Sequence, residues 1–242
     1  MTVFRRRRRG DADSAEEASE AVPEQALDEA SPTDPEEAPK SARPEGPWDV
    51  SELDTTDDPT AAGRVDLGGL RVPRPEGGAL QLQVEERTGR ATSVMLVIPD
   101  AAVQVLAVAA PRSSGLWPQT RLQIAADSAR RGGSAAEAQG PFGTEVRVVV
   151  PVARPDGAQA KQPSRVVGID GPRWMLRATF LGKAVNDPAV FDRLASLVRE
   201  VVVVRGDQPM APGDLIPLTV PPGAVAQGDR AATRPPEPPT RG

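Results

Sequence analysis

The sequence predicts an α+β fold: one antiparallel sheet of about six strands with two helices, in the order βββ-α-βββ-α-β. Three observations carry this. Strand-like runs come in groups, and each group is closed by one helical pattern instead of alternating with helices. Short clusters of Gly, Pro and Asp separate the runs within a group. Both helical patterns open at a proline, Pro118 and Pro188, where the helix has no use for the missing N–H.

"GRVDLGGLRVP", Gly63 to Pro73, opens the ordered region. With Gly68-Gly69 in its middle and Pro73 at its end, it reads as an edge strand or an ordered lead-in. "ALQLQVEE", Ala79 to Glu86, sets Leu80, Leu82 and Val84 against Gln81, Gln83 and Glu85, the alternation of a half-buried strand. Thr88-Gly89 is a turn. "ATSVMLVIP", Ala91 to Pro99, is β-branched and apolar and predicts a more deeply buried strand. Pro99-Asp100 turns the chain into a third strand, Ala101 to Pro111, and the three runs form a meander.

The period then changes. "WPQTRLQIAADSARRGG", Trp117 to Gly133, spaces Leu122, Ala125, Ala126 and Ala129 as a helix does, with Arg130 and Arg131 in the last turn and Gly132-Gly133 as its stop. Three more strands follow: Thr144 to Ala153, Ser164 to Asp170 and Arg173 to Gly182. Pro155-Asp156-Gly157 and Asp170-Gly171-Pro172 join them. Asp187 caps a second helix with Pro188 at its first position, and Phe191, Leu194, Ala195 and Val198 form its buried stripe. "EVVVVRG" is expected to leave the helix extended, since four valines in a row lose χ1 freedom inside one. "DLIPLTVP", Asp214 to Pro221, is a last extended piece.

The expected domain is 61–220, flanked by disordered tails. Residues 1–60 hold 17 Asp and Glu against seven Arg and Lys, a net of −10 in a chain whose total is −5. Such a segment cannot bury enough apolar surface to offset its chain entropy. Residues 221–242 are Pro-rich and close on "RPPEPPTRG".

Composition excludes several chemistries. The chain has no cysteine, no histidine and no tyrosine. Disulfides, thiolate metal sites, imidazole zinc sites and the Ser-His-Asp and Cys-His arrangements are therefore closed to it. No catalytic residue, metal or cofactor is assigned, and the protein is expected not to be an enzyme. No run of about 18 apolar residues predicts a transmembrane helix. Acidic residues follow the arginines at the N-terminus, where a signal peptide would place an apolar stretch, so the expected location is the cytoplasm. No G-x-G-x-x-G or G-x-x-x-x-G-K-[ST] spacing supplies a phosphate loop.

Three stretches are candidates for binding. In "GIDGPRWMLR", Asp170-Gly171 supplies a turn with positive φ at Gly171, and Pro172 fixes its exit. Trp174, Leu176 and Ala178 then share one strand face, and Arg173, Met175, Arg177 and Thr179 the other. Either Trp174 is core and the arginines are solvated, or Asp170, Arg173 and Trp174 recognise a partner at the turn. "VVRGDQPMAPGD" reads as an ordered Gly/Pro loop that presents Arg205, Asp207 and Met210. Its Arg-Gly-Asp triplet carries no integrin reading without a cell-surface context. Arg5, Arg6, Arg7, Arg8 and Arg9 form a basic arm, which either contacts nucleic acid or lipid or solubilises the terminus. The acidic run behind it makes any nucleic-acid binding weak at physiological salt.

"GRVDLGGLRVP", "GIDGPRWMLR" and "VVVVRGDQPMAPGDLIPLTVP" together resemble an actinobacterial domain-of-unknown-function family, in which a charged, variable N-terminus precedes an α+β module. "GPWD", Gly46 to Asp49, resembles the lead-in to that module, and the resemblance covers 46–221. Met175 departs from the aromatic residue more usual there. The resemblance implies no activity, cofactor or catalytic residue. The expected function is that of a non-catalytic module that binds a protein partner through its sheet or its Gly/Pro loop. Nucleic-acid binding through the basic arm and the net-positive domain is one alternative. An enzyme acting on a phosphorylated substrate through carboxylates and arginines is the other.

Overall fold

In the computed structural model the described residues are 45–53, 63–85, 87–153 and 157–220, with the backbone of 227–228. The chain runs β1 (Trp48–Asp49), β2 (Arg64–Asp66), β3 (Leu70–Pro73), β4 (Ala79–Glu85), β5 (Arg90–Ile98), β6 (Ala101–Ala109), α1 (Trp117–Arg130), β7 (Ser134–Gly140), β8 (Gly143–Ala153), β9 (Gln159–Gly171), β10 (Trp174–Gly182), α2 (Pro188–Arg199), β11 (Val202–Val203) and β12 (Gln227–Gly228). The fold is α+β with two helices, as expected, but its strands form two sheets instead of one. In the large sheet the seven long strands run antiparallel in the order β4-β5-β6-β10-β9-β8-β7, and β12 adds a short parallel edge beside β4. The small sheet is mixed, in the order β1-β11-β3-β2.

Three features separate the fold from the expected one. Gly63 to Pro73 is a hairpin, not one edge strand. Gly68, at φ 75°, turns the chain, and a Cβ on Gly69 would lie 2.5 Å from the Pro217 carbonyl oxygen. The second group of strands also gains β7, whose sequence, SAAEAQG, carries no strand alternation; its pairing with β8 makes it a strand. Trp48–Asp49, within the segment expected to be disordered, pairs in parallel with Val202–Val203, so the fold begins before residue 61. β12 likewise falls in the predicted tail. Residues 1–44 and 54–60 of the first predicted tail, and the rest of the second, lie outside the described residues.

The main core lies between one face of the large sheet and a layer made of α2 and the small sheet. Val103, Val105, Leu176, Ala178 and Phe180 meet Phe191, Leu194, Ala195 and Val198 of α2 and Leu70, Val72 and Val203 of the small sheet. The helix stripe is the one that the sequence spacing predicts, and the Asp187 side chain accepts from the N–H groups of Ala189 and Val190 at its start. Val202–Val203 leaves the helix extended, also as expected.

α1 covers the opposite face. Trp117, Ile124 and Leu116 pack on Val146, Val148, Val150, Val166 and Met175 in a second apolar cluster. The predicted stripe of Leu122, Ala125, Ala126 and Ala129 is not the packing face, for Leu122 is 70% exposed. The helix is instead turned by Trp117. The indole lies against Gly168 of β9, where a Cβ would come within 2.1 Å of the ring, and its Nε1 donates to the Thr144 carbonyl at 2.6 Å.

Candidate functional site

α1 covers the β7–β9 end of its face and leaves the β4-β5-β6 end open. There the alternation of β4 points Gln81 and Gln83 away from the core, and Ser93 of β5, Gln104 and Leu106 of β6 and Arg177 of β10 face the same way. With Val108, Gly213 and Leu215 they line a groove of about 740 Å³. That volume is in the range of small-ligand sites, roughly 300–1,000 Å³.

Strand divergence explains the groove. β5 and β6 stay paired from Ile98↔Ala101 to Val94↔Val105 and then separate. The end of the Gly/Pro loop enters the gap. The Ala109 N–H donates to the Asp214 carbonyl, and the N–H groups of Gly213 and Ile216 donate to the carbonyls of Ala109 and Ala107. Leu215 therefore stands at the rim, 43% exposed.

Most of the polar floor is satisfied internally. Gln104 Nε2 donates to Gln83 Oε1 at 2.7 Å and to Ser93 Oγ at 2.9 Å. Arg177 is the exception. Among the described residues three arginine Nε atoms are buried without a partner, those of Arg121, Arg177 and Arg205. Arg121 pairs through Nη1 with Glu137, and Arg205 Nη1 donates to the carbonyls of Gly206 and Gln208. Arg177 makes no such contact among the described residues. Burial pushes its guanidinium below the ordinary arginine value.

A second polar cluster lies at the other end of the large sheet, on the core side. Glu145 is fully buried and takes Arg147 Nε at 2.7 Å and Arg165 Nε at 2.6 Å. The Arg165 guanidinium also stacks on the Phe191 ring, 3.4 Å from its centroid, and Arg147 Nη1 donates to the Val185 carbonyl. Arg147, Arg165 and Phe191 border a smaller hollow of about 340 Å³ beside Asp187 and Asp192. The charges there are largely paired within the fold, so the cluster ties the sheet to α2.

The residues singled out in the sequence do not converge on one place. Trp174 is fully buried in the main core, and its Nε1 donates to Asp49 Oδ2 at 2.7 Å. That bond ties the "GPWD" lead-in to the sheet. Asp170 points to the opposite face and accepts from the backbone N–H groups of Leu116 and Trp117 at the start of α1. Arg173 lies in the hairpin turn and carries the positive φ, 61°, that the sequence reading gives to Gly171. Gly171 is instead paired with Trp174, which leaves only Pro172 and Arg173 to make the turn. Of Met175 and Arg177, expected on a solvated face, the first is covered, packed with Trp117 of α1, and the second is half-buried in the groove. Arg205 and Asp207 stay in the Gly/Pro loop, while Met210 packs against the main core. Arg5, Arg6, Arg7, Arg8 and Arg9 lie outside the described residues.

Sequence reasoning missed Gln83, Ser93, Gln104 and Arg177 as a group. Their shared face was legible in the strand alternation, but which half of that face α1 leaves open was not. Among the described residues no helix is long and apolar enough to cross a membrane. No curated protein matches the chain. The family model described as "Protein of unknown function (DUF3710)" matches residues 46–227, a span that holds both sheets, both helices and the groove, and the chain belongs to that family.

Proposed function

We propose that the protein is a non-catalytic cytoplasmic module that binds a protein partner, and that the groove with the Gly/Pro segment at its rim is the surface that takes it. The observation that carries this reading is the groove itself: a preformed concavity whose polar floor is held in place and whose arginine lacks a partner among the described residues. Ser93 supports binding over chemistry. Its hydroxyl is held between the amides of Gln83 and Gln104, and an amide is no base for its proton. A cytoplasmic location fits a chain that uses no cysteine.

The test is capture from native lysate with the full chain and with Leu215→Glu. This rim substitution places a charge where an apolar contact would form, on a side chain that already meets solvent. A partner of the groove should be retained by the parent protein and lost by the variant, with Tm unchanged. Equal recovery of the same proteins by both chains would overturn the reading.

A further inference from the structure

We infer that the groove is a carboxylate site, in which Arg177 takes the side chain of an acidic residue in an extended segment of the partner. This rests on the binding reading above and names the chemistry of what binds. The first support is charge. Among the described residues that line the groove, Arg177 is the one cation, and the one anion, Glu85, accepts from Thr88 Oγ1 at 2.6 Å and has Arg87 close by. The counter-charge for Arg177 is therefore left for a ligand to bring. A guanidinium partly withdrawn from water without a partner is a cost to the fold, and an arriving carboxylate relieves it. The second support is shape. The planar fork of arginine matches a carboxylate through two parallel hydrogen bonds.

The neighbouring side chains favour a peptide over a free acid. Gln104 spends its Nε2 on Gln83 and Ser93, which leaves its Oε1 as an acceptor. Gln83 spends its Oε1 and keeps its Nε2 as a donor. A donor and an acceptor side by side suit the C=O and N–H of an extended backbone. Leu106, Val108 and Leu215 give an apolar flank for the residues beside the acid. Phosphate fits less well. The described lining comes from strands and a loop, and among the described residues there is no second cation and no helix N-terminus to share the charge.

The experiment follows the Nε–Hε NMR signal of Arg177 in the full-length protein, assigned by its loss in Arg177→Gln. Three probes are titrated: a capped Leu-Glu-Leu peptide, its Leu-Gln-Leu counterpart and inorganic phosphate. The acidic peptide should shift the Arg177 signal saturably, and its affinity, read from the groove amides, should fall roughly tenfold or more in Arg177→Gln. Arg177→Lys, which keeps the charge and loses the fork, should recover part of it. Equal shifts with the glutamine peptide would overturn the carboxylate assignment and leave the binding reading standing. A response to phosphate with none to the acidic peptide would overturn it as well. Silence from all three probes would also refute the carboxylate site, while the binding reading would still be judged by Leu215→Glu capture.

Discussion

Trp174 joins a packing role to a polar one. Its ring fills the main core, and its Nε1 holds the buried carboxylate of Asp49, which also accepts from the N–H and hydroxyl of Ser51. Trp174→Ala should lower the unfolding free energy by about 3–5 kcal/mol, the range for emptying a large aromatic site. Trp174→Phe keeps most of the ring volume and leaves one Asp49 oxygen without its donor, so about 1–3 kcal/mol is expected in denaturant melts. Arg177 should behave in the opposite sense. If its guanidinium is held for a ligand, Arg177→Met should stabilise the ligand-free protein by about 1 kcal/mol, because it removes a buried donor that has no partner. A clear loss of stability would mean that the arginine serves the fold. Glu145 stands between two arginines at zero exposure, and Glu145→Ala would leave Arg165 buried without its counter-charge. About 3–5 kcal/mol should be lost, measured by chemical unfolding.

At the scale of the element, α1 shows how a helix can be positioned from outside itself. Leu116, at its start, offers no capping side chain. Asp170 supplies the missing acceptor from the far strand, and Gly115 allows the approach, since a Cβ there would lie 2.2 Å from its carboxylate. Asp170→Ala should therefore cost about 0.5–2 kcal/mol, the usual worth of a cap, with the loss of amide protection confined to the first turn of α1. β7 makes the complementary point. Ser, Ala, Glu, Gln and Gly have little strand preference, so its pairing with β8 and the Arg121–Glu137 ion pair to α1 hold it in place. α2, by contrast, declares itself through its Asp-Pro start and an apolar stripe that the structure buries in full. A helix docked along its whole length keeps its periodic signal. A helix whose packing face mixes apolar and polar residues, as Trp117, Ile124 and Ser128 do in α1, does not.

The described residues build a large sheet with an apolar cluster on each side. Phe191 belongs to one cluster and Trp117 to the other, with the sheet between them. The stability losses of Phe191→Ala and Trp117→Ala should therefore add to within about 0.5 kcal/mol in the double variant. A coupling well beyond that would show that the two faces share more than the backbone. The groove is also a property of this scale. α1 is too short to cover its whole face, and the strands diverge beyond Val94 and Val105, so one half stays open.

The sequence by itself determined the α+β class, both helices, the meander β4-β5-β6 and the stripe of α2, while it left Trp174 open between core and binding surface. Each rests on local signals, alternation, caps and turn residues, that need no knowledge of neighbours. Its exclusions of cysteine and histidine chemistry likewise needed only the composition. Tertiary structure alone decided the rest. The second sheet exists because Trp48–Asp49 and Val202–Val203 meet across more than 150 residues. Arg173 takes a positive φ because strand register assigns Gly171 to a pair. Asp170 becomes a cap because of where α1 lies, and Arg177 a half-buried cation because it faces the groove that α1 leaves open. These outcomes depend on which distant surfaces come together, and a periodicity that marks two faces of a strand does not say which of them will be covered.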